Sequence, residues 1–131
     1  MKWMDRERSF WVIGGDLRQR ALARLLREDG HTVHIAGLEG EGLEPEPLGP
    51  GLALAHCVIL PLPVAVGESF VHTPLSAARL PLAQVLDCLR PGQLVCGGMI
   101  APAVAAEMTR RGLRWADYYA REECMVANAV P

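Results

Sequence analysis

Phe10-Trp11-Val12-Ile13-Gly14-Gly15-Asp16-Leu17-Arg18 decides the fold: four apolar residues run into two glycines, and at Asp16 the pattern changes to a helical period. A short continuous apolar run of this kind fits a strand buried on both faces, as in a parallel sheet. Beyond it Leu17, Ala21, Leu22, Leu25 and Leu26 form one stripe, and Arg20, Arg24 and Arg27 form another that reads as a solvated face. These residues predict an amphipathic helix with Asp16 as its N-cap and Gly30 as its stop. Thr32-Val33-His34-Ile35-Ala36 then reads as a second strand, completing a βαβ unit.

The same alternation continues outward. Gly37 to Gly51 mixes Gly, Pro, Glu and Leu and is expected to be an exposed connection in place of a second helix. Cys57-Val58-Ile59-Leu60 is a buried strand ended by Pro61-Leu62-Pro63, since proline lacks the N–H that regular pairing needs. Leu82, Val85, Leu86 and Leu89 behind Pro81 predict a helix, and Leu94-Val95-Cys96 before Gly97-Gly98 a fourth strand. Pro102 opens a third helix carrying Ala101, Val104, Ala105 and Met108 on one face, and Leu113 to Ala116 form a weaker fifth strand. The fold class expected is α/β: a three-layer sandwich around a five-stranded parallel sheet, flavodoxin-like or Rossmann-like, in the order 2-1-3-4-5.

With 131 residues, the chain fits a single domain of the usual roughly 100 to 200 residues. A hydrophobic content of 50% with 21% charged residues describes a folded core, and a net charge of −2 gives no basic footprint for nucleic acid. No apolar run approaches the roughly 20 residues of a membrane span, and the first residues do not form a signal peptide, so cytoplasm is expected. Cys57, Cys88, Cys96 and Cys124 lack CxxC spacing and read as buried free thiols. His31 and His34, three apart on a strand, point to opposite faces, so no metal site is expected.

Three strand ends should lie side by side: Gly14-Gly15-Asp16, Pro61-Leu62-Pro63 and Gly97-Gly98. Glycines there either admit a ligand to the backbone or serve tight turns alone. Arg18, placed on the helix's inward stripe in its first turn, is a candidate cation for carboxylate or phosphate; the alternative is a surface arginine folded back on Asp16. Ser69, His72 and Thr73 lie within reach of the strand ends, either as ligand contacts or as an ordinary polar loop. The turn fails the GxGxxG spacing and no acid ends the second strand, so this domain is not expected to bind NAD(P) by itself.

Val12-Ile13-Gly14-Gly15-Asp16-Leu17-Arg18-Gln19, Val58-Ile59-Leu60-Pro61 and the tail from Arg121-Glu122-Glu123 through Asn128-Ala129-Val130-Pro131 together resemble the N-terminal domain of the dipicolinate synthase A subunit. The resemblance runs nearly end to end, with the segment from Leu62 to Ser76 departing most. It implies that residues 1–131 are a substrate-facing domain, with an NADP-binding Rossmann domain downstream. It also implies partnership with a flavoprotein-like B subunit, the mother cell of a sporulating bacterium as location, and oxidation of a dihydrodipicolinate-type compound to the dicarboxylate with NADP as cofactor. Gly14, Gly15, Asp16, Arg18 and Gln19 then fall on the family's first turn and Asn128 to Pro131 cross between domains; Arg18 is the expected carboxylate contact, with Gly15, Asp16, Pro61 and Gly98 shaping the cleft floor. No catalytic acid or base is assigned, and oligomeric state stays open, a homo-oligomer included. Two alternatives stand beside this: a non-catalytic module docking a coenzyme domain or the B subunit, and the substrate domain of a 2-hydroxyacid or alanine dehydrogenase relative.

Overall fold

A computed structural model describes residues 8–66 and 69–119. In chain order the elements are β1 (Ser9–Ile13), α1 (Leu17–Glu28), β2 (Thr32–Ala36), a 3-10 turn (Pro50–Leu54), β3 (Cys57–Ile59), β4 (Ala65–Val66), β5 (Phe70–Val71), α2 (Leu82–Asp87), β6 (Leu94–Gly97), α3 (Pro102–Arg110) and β7 (Arg114–Asp117). Five strands form one sheet in the order β2-β1-β3-β6-β7, with every neighbouring pair parallel. Val12 pairs with Ile35 on one side and Ile59 on the other. The segment after β3 adds what periodicity could not show, a two-residue antiparallel hairpin of β4 and β5.

Alternation along β1 divides the core. Trp11 and Ile13 join Val58, Leu60 and Val95 in a cluster closed by Val85 and Leu86 of α2 and Met108 of α3. Val12 joins Ile35 and Ile59 on the opposite face, under Ala23 of α1. Each fully buried Val, Ile, Leu or Met side chain contributes about 1.5–3 kcal/mol relative to exposure, so the two apolar faces of β1 fix its central place.

The inward stripe of α1 corrects the expectation. Gln19 and Ala23 are its buried residues, with Leu22 and Leu26 packed beside them, whereas Leu17 and Leu25 are 62% and 57% exposed. Positions 19, 22, 23 and 26 follow the helical spacing, and the small Ala23 lets the helix approach the sheet closely. Arg18 therefore sits outside the buried stripe, with its side chain 64% exposed.

The three outer arginines are anchored rather than merely solvated. Arg20 donates to the Glu39 carbonyl, Arg24 to that of Glu41, and Arg27 to those of Gly42 and Val33. They hold the connection that follows β2. His31 and His34 contact different rings, Phe10 edge-on at 5.3 Å and Trp11 stacked at 5.0 Å, and His34 pairs with Glu46 at 2.7 Å. Among the described residues there is no cluster of three or more metal-ligating side chains.

Cys57, Cys88 and Cys96 are in no disulfide among the described residues, Cys57 buried and the others partly so, while Cys124 lies outside the described residues. The Cys57 and Cys96 sulfurs are 3.7 Å apart, and the hydrogen bond with Cys96, then burial, pushes the Cys57 thiol far up from its ordinary value. No described helix is long and apolar enough to cross a membrane.

Candidate functional site at the carboxyl edge of the sheet

The carboxyl ends of β1, β3, β6 and β7 meet at one rim, the place where open α/β sheets receive ligands. Gly14 and Gly15 leave β1 with φ of +70° and +102°, two successive left-handed turns that glycine alone adopts freely. Both amides are already matched, Gly14 N–H to the Ala36 carbonyl at 2.8 Å and Gly15 N–H to that of His72 at 2.9 Å. A Cβ on Gly14 would lie 2.6 Å from the His72 oxygen, and one on Gly15 would lie 2.0 Å from Gln19 Cγ. The glycines thus admit the protein's own atoms.

Asp16 closes the start of α1. Its carboxylate accepts from Arg18 N–H at 3.0 Å, and its carbonyl from Gln19 N–H and Arg20 N–H at 3.0 and 3.2 Å. The Arg18 guanidinium folds back on the same carboxylate, Nε to Oδ1 at 3.2 Å and Nη2 to Oδ2 at 3.0 Å. That two-pronged contact holds the Asp16 carboxyl below its ordinary range and raises Arg18 in turn. Both glycine amides and that of Arg18 are thus taken by the chain's own oxygens, the Asp16 carboxylate stands where a pyrophosphate would meet the helix start, and β2 ends without an acid for a ribose. These residues do not fit NADP.

Beneath the turn, the Leu60 carbonyl gathers three elements. It accepts from Gln19 Nε2 at 3.4 Å and from the Tyr118 hydroxyl at 3.2 Å. Pro61 is fully buried, and its carbonyl accepts from Gly98 N–H at 3.1 Å, while the Gly98 carbonyl accepts from Val64 N–H at 3.0 Å. A Cβ on Gly98 would lie 2.5 Å from Leu62 Cδ1 and 3.0 Å from Tyr118 Cε1. Pro61 and Gly98 are consequently buried packing residues below Leu62 and Tyr118. Burial raises the Tyr118 phenol above its usual value, so its proton stays in place to donate.

Asp16, Arg18, Gln19, Leu62 and Tyr118 border a cavity of about 70 Å³. A water claims roughly 30 Å³ of liquid and drug-sized ligand pockets roughly 300–1,000 Å³, so this space takes solvent rather than a whole ring. A larger groove of about 540 Å³ runs between α2 and the start of α3, floored by Val64, Leu82 and Val104. Its charged groups, Glu107 and Arg111, pair with each other at 2.6 Å.

Three residues at this rim carry no sequence signal strong enough to find them. Met99 takes a left-handed φ of 53°, and the Asp117 carboxylate accepts from its N–H at 3.2 Å and from Ile100 N–H at 2.8 Å. Asp117 thereby fixes the loop into α3 from a neighbouring strand, and Tyr118 follows it. Of the residues expected at the site, Gly14, Gly15, Asp16, Arg18, Gln19, Pro61 and Gly98 do converge; Asn128 and Pro131 lie outside the described residues.

Crystal structures with this fold include the A chain of dipicolinate synthase from Bacillus subtilis, with a TM-score of 0.75 and 20% identity, covering 96% of this chain and 45% of that one. The dipicolinate synthase A subunit from Bacillus halodurans matches with a TM-score of 0.75 and 17% identity, over 95% of this chain and 45% of the other. The chain thus spans less than half the length of these proteins. No curated protein matches it significantly. The family model for the N-terminal domain of the dipicolinate synthase A subunit matches residues 9–119, which cover the whole sheet and its rim, and the chain belongs to that family.

Proposed function

We propose that this chain is the substrate-facing domain of a dipicolinate synthase A subunit, an NADP-dependent oxidoreductase that converts a dihydrodipicolinate-type compound to the aromatic dicarboxylate during sporulation. The observation that carries this reading is the family match across residues 9–119, which includes every strand end of the rim. NADP supplies the hydride acceptor, and since the first turn here is filled by the chain's own carbonyls and Asp16, the coenzyme belongs to a domain beyond these residues. What this domain contributes is a rigid rim for carboxylate recognition, acting with the B subunit in the mother-cell cytoplasm.

The test is turnover. Full-length protein given a freshly formed dihydrodipicolinate-type substrate and NADP should reduce the coenzyme and release dipicolinate in equal amounts, and the 131-residue chain alone should do neither. Absence of dipicolinate from a folded full-length preparation given substrate, NADP and the B subunit sinks the proposal.

A second reading is favoured by the apolar groove and by Met99, 54% exposed beside it: the edge docks another protein surface. Groove substitutions that abolish capture of the B subunit but leave turnover by the full-length protein intact would support it.

A further inference from the structure

Beside the glycine turn lies a third hollow, of about 370 Å³, bordered by Phe70, His72, Thr73 and Arg79 among others. Its wall is the rim itself, because the His72 carbonyl accepts from Gly15 N–H and the Thr73 methyl lies 2.9 Å from where a Cβ on Gly37 would be. No acidic residue borders it among the described residues, in a chain of net charge −2.

Arg79 differs from Arg18 in the respect that matters for binding an anion. Arg18 spends its charge and two of its donors on Asp16. The Arg79 guanidinium instead lies 4.3 Å over the Phe70 ring and has no hydrogen bond or ion pair among the described residues. An aromatic face orients a guanidinium while leaving its edge, the fork that matches a carboxylate, open.

The backbone around it is held. The Thr73 hydroxyl donates to the Ala78 carbonyl at 2.9 Å, and Val71 N–H donates to that of Leu80 at 2.9 Å, so both neighbours of Arg79 are tied. His72 is fixed through its N–H to Val64 and its carbonyl to Gly15, and its ring has no hydrogen-bond partner among the described residues. Fixing the stems beforehand reduces the ordering cost of binding.

We infer that Arg79 and His72 form a carboxylate-binding subsite at this rim, Arg79 gripping the carboxylate by its two-donor edge and His72 donating beside it. This rests on the reading of the domain as substrate-facing and identifies its ligand group as a carboxylate of the dicarboxylate substrate.

The experiment is calorimetric titration of full-length protein with pyridine-2,6-dicarboxylate in metal-free buffer, for wild type, R79M, R79K and R18M, with melting curves as the folding control. Wild type should bind, R79M should weaken binding by roughly tenfold or more, and R79K should recover part of the loss, because lysine keeps charge without the fork. R18M should weaken it less than R79M, and inorganic phosphate should compete poorly. If R79M binds as wild type does, or if phosphate binds in preference, the subsite is overturned while the substrate-facing reading stands. If folded wild type fails to bind the dicarboxylate at all, the reading itself falls with the subsite. Should R79M melt early, R79K decides: unaltered binding by a folded R79K rejects the fork.

Discussion

Replacing Gly14 by alanine tests the claim that the first turn is built around a neighbouring carbonyl rather than a ligand. At φ +70° an L-residue costs about 1–2 kcal/mol. The new Cβ would also meet the His72 carbonyl at 2.6 Å and Val71 Cγ1 at 2.9 Å, both on a segment tied by backbone hydrogen bonds, so a further overpacking cost of about 1–3 kcal/mol applies. Together the loss is about 2–5 kcal/mol. Gly30 supplies the control: its φ is +93°, yet a Cβ there meets nothing within 4 Å, so Gly30→Ala carries the conformational cost alone. The stiffening of the unfolded chain by alanine is common to both variants and cancels between them. In urea unfolding, with a slope of about 2 kcal/mol/M, G14A should shift the midpoint by roughly 1–2.5 M and clearly further than G30A. Equal shifts for the two variants would refute the close approach of the His72 segment to the turn.

Gln93 is buried, donating to the Leu52 and Ala55 carbonyls at 2.9 and 2.8 Å and accepting from Arg90 N–H at 2.6 Å. Gln93→Leu should cost about 2–4 kcal/mol in the same assay, and a loss under about 0.5 kcal/mol would mean that water replaces these bonds. Glu107, hydrogen-bonded first by Arg110 and then by Arg111, is held down to about 2 from an ordinary 4.5. A depressed acid is charged in the folded state where the unfolded state takes up a proton, so its contribution is complete above about 4.5 and lost as pH falls toward 2. Glu107→Gln should therefore separate from wild type at neutral pH and converge with it in acid; a constant gap across that window contradicts the pairing. Tyr118→Phe removes the hydroxyl that reaches the Leu60 carbonyl and should cost about 0.5–1.5 kcal/mol, measurable as a shift of the urea midpoint, with no change expected only if Gln19 satisfies that carbonyl alone. A fluorescence titration of the 131-residue chain with NADPH should show no tight binding; a saturable signal at low micromolar coenzyme would overturn the assignment of NADP to another domain.

The parallel core was legible because Phe10 to Ile13 and Val58 to Leu60 are apolar on both faces, and glycine or proline marks their ends. The side of α1 was not. Leucine count favoured Leu17 and Leu25, but close packing selected Ala23 and a buried Gln19 whose amide finds the Leu60 carbonyl. Placing Arg18 on the wrong side of the stripe followed from that choice. The hairpin of Ala65–Val66 with Phe70–Val71 is too short to show a period, and its partners are set by contacts with Leu80 and Leu82. Hence the loop that roofs the rim, with His72 and Arg79, could be suspected from its position but not built. Asp117 and Met99 meet across two strands, and nothing local in either segment announces the other.

The arginines of α1 have one more consequence. They grip the connection after β2 by its carbonyl oxygens at Glu39, Glu41 and Gly42, and a carbonyl is the same whatever residue bears it. The loop is thus moored by its main chain, leaving the identity of position 41 largely open to redesign, whereas the Glu39 carboxylate also accepts from the Ser76 hydroxyl at 2.9 Å and shortening an arginine to lysine would slip the mooring. Diversity introduced at exposed position 41 should be tolerated, and that position offers a place for a label or crosslinker.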